Sequence, residues 1–295
     1  FGAPSALYFG GGFIANAALF STLPQRGDLI VYDELIHASV HEGLRLSRAD
    51  ARPFRHNDAD ACAEAIAAWR GEGGSGQPWI ATETLYSMDG DRAPIDALHE
   101  IADANGAMLI LDEAHATGVF GPDGRGLGAH LEGRDNVVSL HTCGKALGVM
   151  GALVIAPAPL KDFLINRARA FIYATAPSPL MAAAVRCALK IIASEPERRA
   201  KLHARIATTG SLLKAKLGIV PSGSQIQPII VGSDTRAVAL ATALRNRGFD
   251  IRAIRPPTVP DGTARLRMTL TLNTSEVQVA GLIDALAEEL TGAKA

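Results

Sequence analysis

Met108-Leu109-Ile110-Leu111 is apolar at every position and ends on Asp112. A run without polar alternation has no face to give to water, so it reads as a strand of a parallel sheet covered on both sides. An unpaired buried carboxylate is costly, so the acid at its end needs a cationic or hydrogen-bonding partner. Other strand-like runs are Ala6 to Phe9, Asp28 to Tyr32, Trp79 to Leu85, Asn136 to Leu140 and Ala152 to Ile155. Helical stretches fall among them: Phe13 to Leu23, a helix capped by Asn57 or Asp58 that runs to Trp69, and Pro94 to Asn105. This alternation predicts an α/β fold with a mostly parallel sheet.

The texture changes from Ile226. Strands over Ile226–Val231, Phe249–Ile254 and Ala264–Leu272, a helix over Thr235–Arg247, and a last helix capped by Asn273 or Thr274 and running to Leu290 predict a smaller α+β domain. The expected division is a large domain over 1–177, a helical connection over 178–224 and a small domain over 225–295. The chain starts at Phe1, just before a strand, and an N-terminal segment is expected to be missing.

With 29 Lys and Arg against 30 Asp and Glu, the net charge of −1 argues against a nucleic-acid or membrane-surface protein. No run of 18 apolar residues predicts a transmembrane helix. Cys62, Cys143 and Cys187 show neither metal-like spacing nor a disulfide pattern, which points to a reducing, cytoplasmic setting and no metal. Cys62 and Cys187 read as helix core, and Cys143 as small packing.

Four features bear on chemistry. Gly10-Gly11-Gly12 between a strand and a helix makes an anion site from free N–H groups. The same glycines, with Ala15 and the strand-end Asp33, also give a weak dinucleotide signal, and with it a nicotinamide oxidoreductase as an alternative. Asp112 is followed three residues later by His115, and Lys145 sits among Gly144, Gly148 and Gly151. Arg265 and Arg267 share the polar face of an alternating strand, and spacing does not choose between them. Pyridoxal phosphate uses all four: N–H groups for phosphate, a lysine for the aldehyde, a carboxylate for the ring nitrogen, and an arginine for a substrate carboxylate. No nicotinamide scheme uses Asp112, His115 and Lys145 together.

Five segments together resemble the α-oxoamine synthase family of pyridoxal-phosphate enzymes, of fold type I. They are Gly12-Phe13-Ile14-Ala15-Asn16, Ile36-His37-Ala38-Ser39, Tyr86-Ser87-Met88-Asp89-Gly90-Asp91, Leu111 to Gly121, and Thr142-Cys143-Gly144-Lys145-Ala146-Leu147-Gly148. Residues 253–260 and 262–267 resemble members that join L-alanine to a pimeloyl thioester in biotin synthesis. Glycine-using members, such as 2-amino-3-ketobutyrate coenzyme A ligase, are the alternative within the family, and a non-catalytic fragment is another. The resemblance implies that Lys145 holds the cofactor aldehyde and moves the Cα proton. It implies that Asp112 pairs with the ring nitrogen and that His37 stacks on the ring, although a histidine at that strand-to-helix junction also reads as a helix cap. Ser87 and His115 would lie near the ring oxygen. Gly12 and Phe13 would supply N–H groups, and Thr142 a hydroxyl, to the phosphate. Arg267 and Thr258 would meet the substrate. A homodimer is implied, with Thr175 reaching the cofactor of the partner subunit. Tyr86 stands where the family often has phenylalanine.

Overall fold

In this computed structural model, which describes residues 1–292, the chain opens with β1 (Ala6–Phe9), α1 (Gly12–Thr22), β2 (Leu29–Asp33), α2 (Ala38–Leu46) and β3 (Asp50–Phe54). There follow α3 (Ala59–Gly71), β4 (Pro78–Glu83), α4 (Ile95–Ala104) and β5 (Met108–Asp112). β6 (Val137–Thr142) and β7 (Ala152–Ile155) flank the lysine loop, and α5 (Ala158–Arg167), α6 (Arg169–Ile172) and α7 (Pro179–Ser194) come next. The remainder is α8 (Pro196–Leu217), β8 (Ile226–Gly232), α9 (Asp234–Asn246), β9 (Arg252–Ile254), β10 (Ala264–Thr269) and α10 (Glu276–Gly292).

These elements form two compact units. The first holds residues up to Tyr86 together with Arg92–Glu195, and the second holds Ser87–Asp91 with the chain from Pro196 onward. The division falls at a proline, which has no N–H to continue α7 and instead opens the first turn of α8.

In the first unit the sheet order is β1-β7-β6-β5-β4-β2-β3. Neighbours from β6 to β3 are parallel, and β7 runs against both β6 and β1. Side chains alternate across this sheet, so Ile30 and Ile110 pack on the α1 side while Leu29, Val31, Leu109 and Leu111 pack on the α3 and α4 side. Both faces are covered, as the apolar strand at Met108 requires. The edge strand β3 is the one the residue pattern does not reveal. Asp50-Ala-Arg-Pro-Phe54 is polar, and Pro53 is tolerated because an edge strand need not donate on both sides.

In the second unit β10 lies between β8 and β9, antiparallel to both. Leu266, Met268 and Leu270 go into the core, as the alternation predicts, but Leu272, expected on the same face, is exposed because β10 ends at Thr269. β9 is shorter than expected because only Arg252–Ile254 pair with β10. The cap of α10 is Ser275 rather than Asn273 or Thr274. Ser275 Oγ accepts from Gln278 N–H at 3.2 Å and Gln278 Oε1 accepts from Ser275 N–H at 2.8 Å, a reciprocal capping box.

Cys62 is fully buried in the core and its thiol is pushed up to about 12 by burial. Cys187 departs from expectation and is exposed. On α7 it is Val185 that is buried, and residues two apart point to different sides of a helix. Among the described residues no helix is long and apolar enough to cross a membrane.

Ile110 sits at the centre of the sheet with 1% of its surface exposed. Ile110→Ala is expected to destabilise the first unit by about 2–5 kcal/mol in denaturant unfolding, because its neighbours cannot collapse into the void. A loss under about 1 kcal/mol would place Ile110 outside the close-packed core.

Candidate active site

The parallel strands β2, β4, β5 and β6 end on one edge of the sheet, where open α/β sheets bind ligands. A cavity of about 200 Å³ lies there within the first unit, and Gly12, Phe13, His37, Asp112, Thr142 and Lys145 all line it. Asn16, Ser39 and Glu83, which the sequence reading did not single out, line it too.

At one wall α1 begins on Gly12, with Gly11 as a cap residue that supplies no side-chain hydrogen bond. The first intrahelical bond is Ala15 N–H to Gly11 O at 3.1 Å, so the N–H groups ahead of Ala15 have no partner within the helix. A Cβ at Gly12 would stand 3.0 Å from Thr142 Oγ1, tighter than side chains ordinarily pack. Glycine there keeps the helix end and the threonine hydroxyl together.

Asp112 lies at the C-terminal end of β5, buried, on the face opposite to Leu111. Its Oδ1 accepts from Ala114 N–H at 2.9 Å and its Oδ2 from Asn16 Nδ2 at 2.7 Å. Asn16 Nδ2 also donates to Ser39 Oγ at 3.0 Å. Ser39 Oγ in turn lies 2.7 Å from His37 Nδ1, which accepts from the Ser39 N–H at 3.2 Å. His37 therefore does cap α2. A ring nitrogen that accepts carries no proton, so the proton of the neutral imidazole belongs on Nε2. The His37 pKa is lowered from 6.5: burial disfavours the cation first, Asp112 opposes this, and Lys145 and His41 reinforce it.

Lys145 projects from a loop hooked down on both sides. Cys143 N–H bonds to Gly151 O at 2.8 Å, Val149 N–H to Cys143 O at 2.9 Å, and Gly148 N–H to Lys145 O at 3.0 Å. Gly148 and Gly151 take φ values of 66° and 124°, and a Cβ at Gly151 would lie 2.3 Å from the Tyr8 ring. Cys143 and Leu147 are buried beside Val185, and burial pushes the Cys143 thiol up to about 11, as packing rather than nucleophilic chemistry requires. Beside this loop, Glu113 is buried under Thr84 Oγ1, Leu127 N–H and Gly128 N–H, which donate at 2.7, 3.0 and 2.5 Å. Burial raises its pKa against the pull of His141 and these bonds. Gly126 and Gly128 leave no room for a Cβ beside its carboxylate.

Other predicted residues lie elsewhere. His115 is half-buried and does not line the cavity. Thr175 is exposed in the extended stretch ahead of α7. Ser87, Thr258, Arg265 and Arg267 belong to the second unit. There Arg265 is buried in an ion pair with Asp89, while half-buried Arg267 donates from Nε to Ser87 O at 2.6 Å and from Nη1 to Thr269 Oγ1 at 2.8 Å. The two arginines thus differ in commitment, which spacing could not reveal. Thr258 is exposed.

The dinucleotide signal does not survive. Asp33 is fully buried and spent on His56 Nδ1 at 2.9 Å and on the N–H groups of Leu35 and Asn57, so it offers nothing to a ribose. β1 sits at the sheet edge beside an antiparallel strand, not at a parallel switch point.

The donor set fits pyridoxal phosphate. An uncapped helix N-terminus and a hydroxyl suit a phosphate, a buried carboxylate suits a pyridinium, and a lysine lines the same cavity. Because the His37 pKa lies below 6.5, its ring is expected to titrate by NMR with a midpoint under that value, and the stability it lends is present above pH 6.5 and lost as pH falls beneath it. A midpoint at or above 6.5 would contradict this environment.

A family model for class I and II aminotransferases matches residues 1–286. The 8-amino-7-oxononanoate synthase of Anaeromyxobacter dehalogenans (strain 2CP-C) is 44% identical over 294 residues, covering 99% of this chain and 73% of the relative. The Chromobacterium violaceum protein of the same name is 43% identical over 286 residues, covering 97% and 73%. Among solved structures, a serine palmitoyltransferase from S. paucimobilis with a bound PLP–myriocin aldimine superposes with a TM-score of 0.90 at 25% identity, covering 99% of this chain and 73% of that one. The 8-amino-7-oxononanoate synthase of Francisella tularensis superposes with a TM-score of 0.83 at 29% identity, covering 99% and 84%. With the cofactor-fitting cavity at the strand ends and a match that runs nearly its full length, the chain belongs to the class I and II aminotransferase family of fold type I, pyridoxal-phosphate-dependent enzymes.

Proposed function

We propose that the chain is an 8-amino-7-oxononanoate synthase, a pyridoxal-phosphate-dependent acyltransferase of biotin synthesis. The observation that carries this is the 44% identity to a curated synthase over 294 residues, in a chain whose lysine and buried aspartate line one cavity. The net reaction forms a bond between alanine Cα and the acyl carbon of a pimeloyl thioester, releasing the thiol and carbon dioxide. Pyridoxal phosphate, when bound, supplies an aldehyde for amino groups and a protonated ring that draws electrons from the adjacent carbon.

Each residue then has work to do. The N–H groups at Gly12 and Phe13 and the Thr142 hydroxyl would hold the phosphate. Asp112 would keep a proton on the ring nitrogen. His37, neutral and fixed by Ser39, would pack on the ring face. Lys145 Nζ would hold the aldehyde and move the alanine Cα proton. Ser87 and His115 would serve the ring oxygen. Arg267 takes the substrate carboxylate, a reading supported by the prior commitment of Arg265 to Asp89. Thr258 lies beside the substrate.

We read the assembly as a homodimer, with Thr175 serving the cofactor of the partner subunit. Phe13, Met150, Tyr173 and Leu180 expose 53%, 68%, 74% and 69% of their surface, apolar side chains that a partner subunit would cover. Three unpaired cysteines suit the cytoplasm.

Product formation from L-alanine and a pimeloyl thioester, with glycine as the competing amino acid, tests the assignment. Preference for glycine would move the chain to another branch of the family. Lys145→Ala is expected to abolish turnover while leaving cofactor binding through phosphate and ring contacts, and wild-type product formation by that variant would sink the assignment. Asp112→Asn keeps the shape but cannot hold a positive ring nitrogen. Losing a buried charge-assisted bond costs about 2–5 kcal/mol, a rate loss of roughly several hundredfold. A rate within a few-fold of wild type would give Asp112 another role. Sedimentation is expected to find a dimer, and a monomer with cofactor fully bound would rule out the shared site.

A further inference from the structure

Asn16, in the cavity wall, bonds to both groups assigned to the cofactor ring, directly to one and through a single hydroxyl to the other. It is buried, with 2% of its surface exposed, and it stands in the second turn of α1, the helix whose N-terminus forms the phosphate seat. Both N–H bonds of its amide are used, one on Asp112 Oδ2 and one on Ser39 Oγ. Its Oδ1 has no hydrogen-bond partner among the described residues. The amide orientation follows from chemistry, because a carboxylate only accepts and must therefore meet the NH₂ end.

The bonds run in one direction. Asn16 donates to Ser39 Oγ, which leaves the serine proton for His37 Nδ1, 2.7 Å away. His37 is thereby held with its own proton on Nε2. On the other branch Asn16 donates to Asp112 Oδ2 while Ala114 N–H takes Oδ1, so the carboxylate cannot rotate without breaking one of two bonds. α2 closes the arrangement from outside: Gly43 packs so near α1 that a Cβ there would come within 3.2 Å of Asn16 O and 2.7 Å of Phe20 Cβ.

We infer that Asn16 is a positioning residue for the reaction. It fixes the Asp112 carboxylate and the His37 tautomer together, and it ties both to the helix that holds the phosphate. The inference rests on the cofactor assignment above. It assigns Asn16 no contact with substrate and no proton transfer of its own.

The test is a double-mutant cycle on cofactor affinity. Apoenzyme of the wild type, Asn16→Ala, Asp112→Asn and the double variant is titrated with pyridoxal phosphate, with thermal unfolding of each apoenzyme measured alongside. A hydrogen bond to a charged group is worth roughly tenfold or more in an equilibrium constant. Asn16→Ala is therefore expected to weaken binding about tenfold in the wild-type background and by less than about twofold once Asp112 is already asparagine. In the loaded enzyme kcat falls while KM for the acyl donor stays within about twofold. An equal loss in both backgrounds would mean that Asn16 merely packs, and no loss in the wild-type background would mean that Asp112 needs no support; either result overturns the inference. Should Asn16→Ala not fold, the uncharged, similarly sized Asn16→Leu, which cannot donate, is read by the same cycle and the same criteria. Wild-type protein that takes up no pyridoxal phosphate would overturn the cofactor assignment and this inference with it, whereas the two Asn16 results leave that assignment standing.

Discussion

A carboxylate at the end of a fully buried strand sets the terms for the rest of the first unit. Removing such a group from water costs several kcal/mol, and only directed donors offset it. Asp112 has two, one from its own loop at Ala114 and one from a different element, α1. That second donor requires α1 to cross the sheet at a fixed height, with its second turn over the end of β5. The helix start is then at the strand ends as well, where its free N–H groups face the cavity. One electrostatic requirement thus brings the carboxylate and the anion seat into one cavity.

The lysine loop meets a different requirement. The backbone that carries Lys145 is held still. The loop backbone is pinned by three backbone hydrogen bonds, by buried Cys143 and Leu147, and by Tyr8, whose hydroxyl donates to Met150 O at 2.6 Å. Glu113 does the same for residues 126–128, and its raised pKa records how dry that position is. Neighbouring acids at the end of one strand therefore have opposite assignments: Asp112 faces the cavity and Glu113 braces a loop.

The segment Ser87–Asp91 is covalently continuous with the first unit and belongs by its contacts to the second. Arg265 grips Asp89, Arg267 grips the Ser87 carbonyl, and Gly90, at φ 70°, fits where a Cβ would strike Ile226 O. Ser87 and Arg267 are thus hydrogen-bonded neighbours within the second unit.

Local residue types determined much of this protein. Apolar strand runs, glycine punctuation and helix caps such as Asp58 place most elements to within a few residues, because those signals are set by burial and backbone geometry within a short window. Gly12, Asp112 and Lys145 were legible from their own chemistry next to a strand or helix end, whereas Phe13, His37 and Thr142 were expected only from the family resemblance; all six line one cavity. β3 was not legible, since an edge strand needs no apolar alternation, and neither was the exposure of Cys187. Asn16 and Ser39 look like ordinary helix residues until the fold brings positions 16, 39 and 112 within hydrogen-bond distance. Arg265 and Arg267 are equivalent by spacing, and only the packing of Ser87–Asp91 against β10 separates them. The tertiary structure decided these because a hydrogen bond depends on separations of about 3 Å between atoms far apart in the chain, and no local pattern encodes that distance.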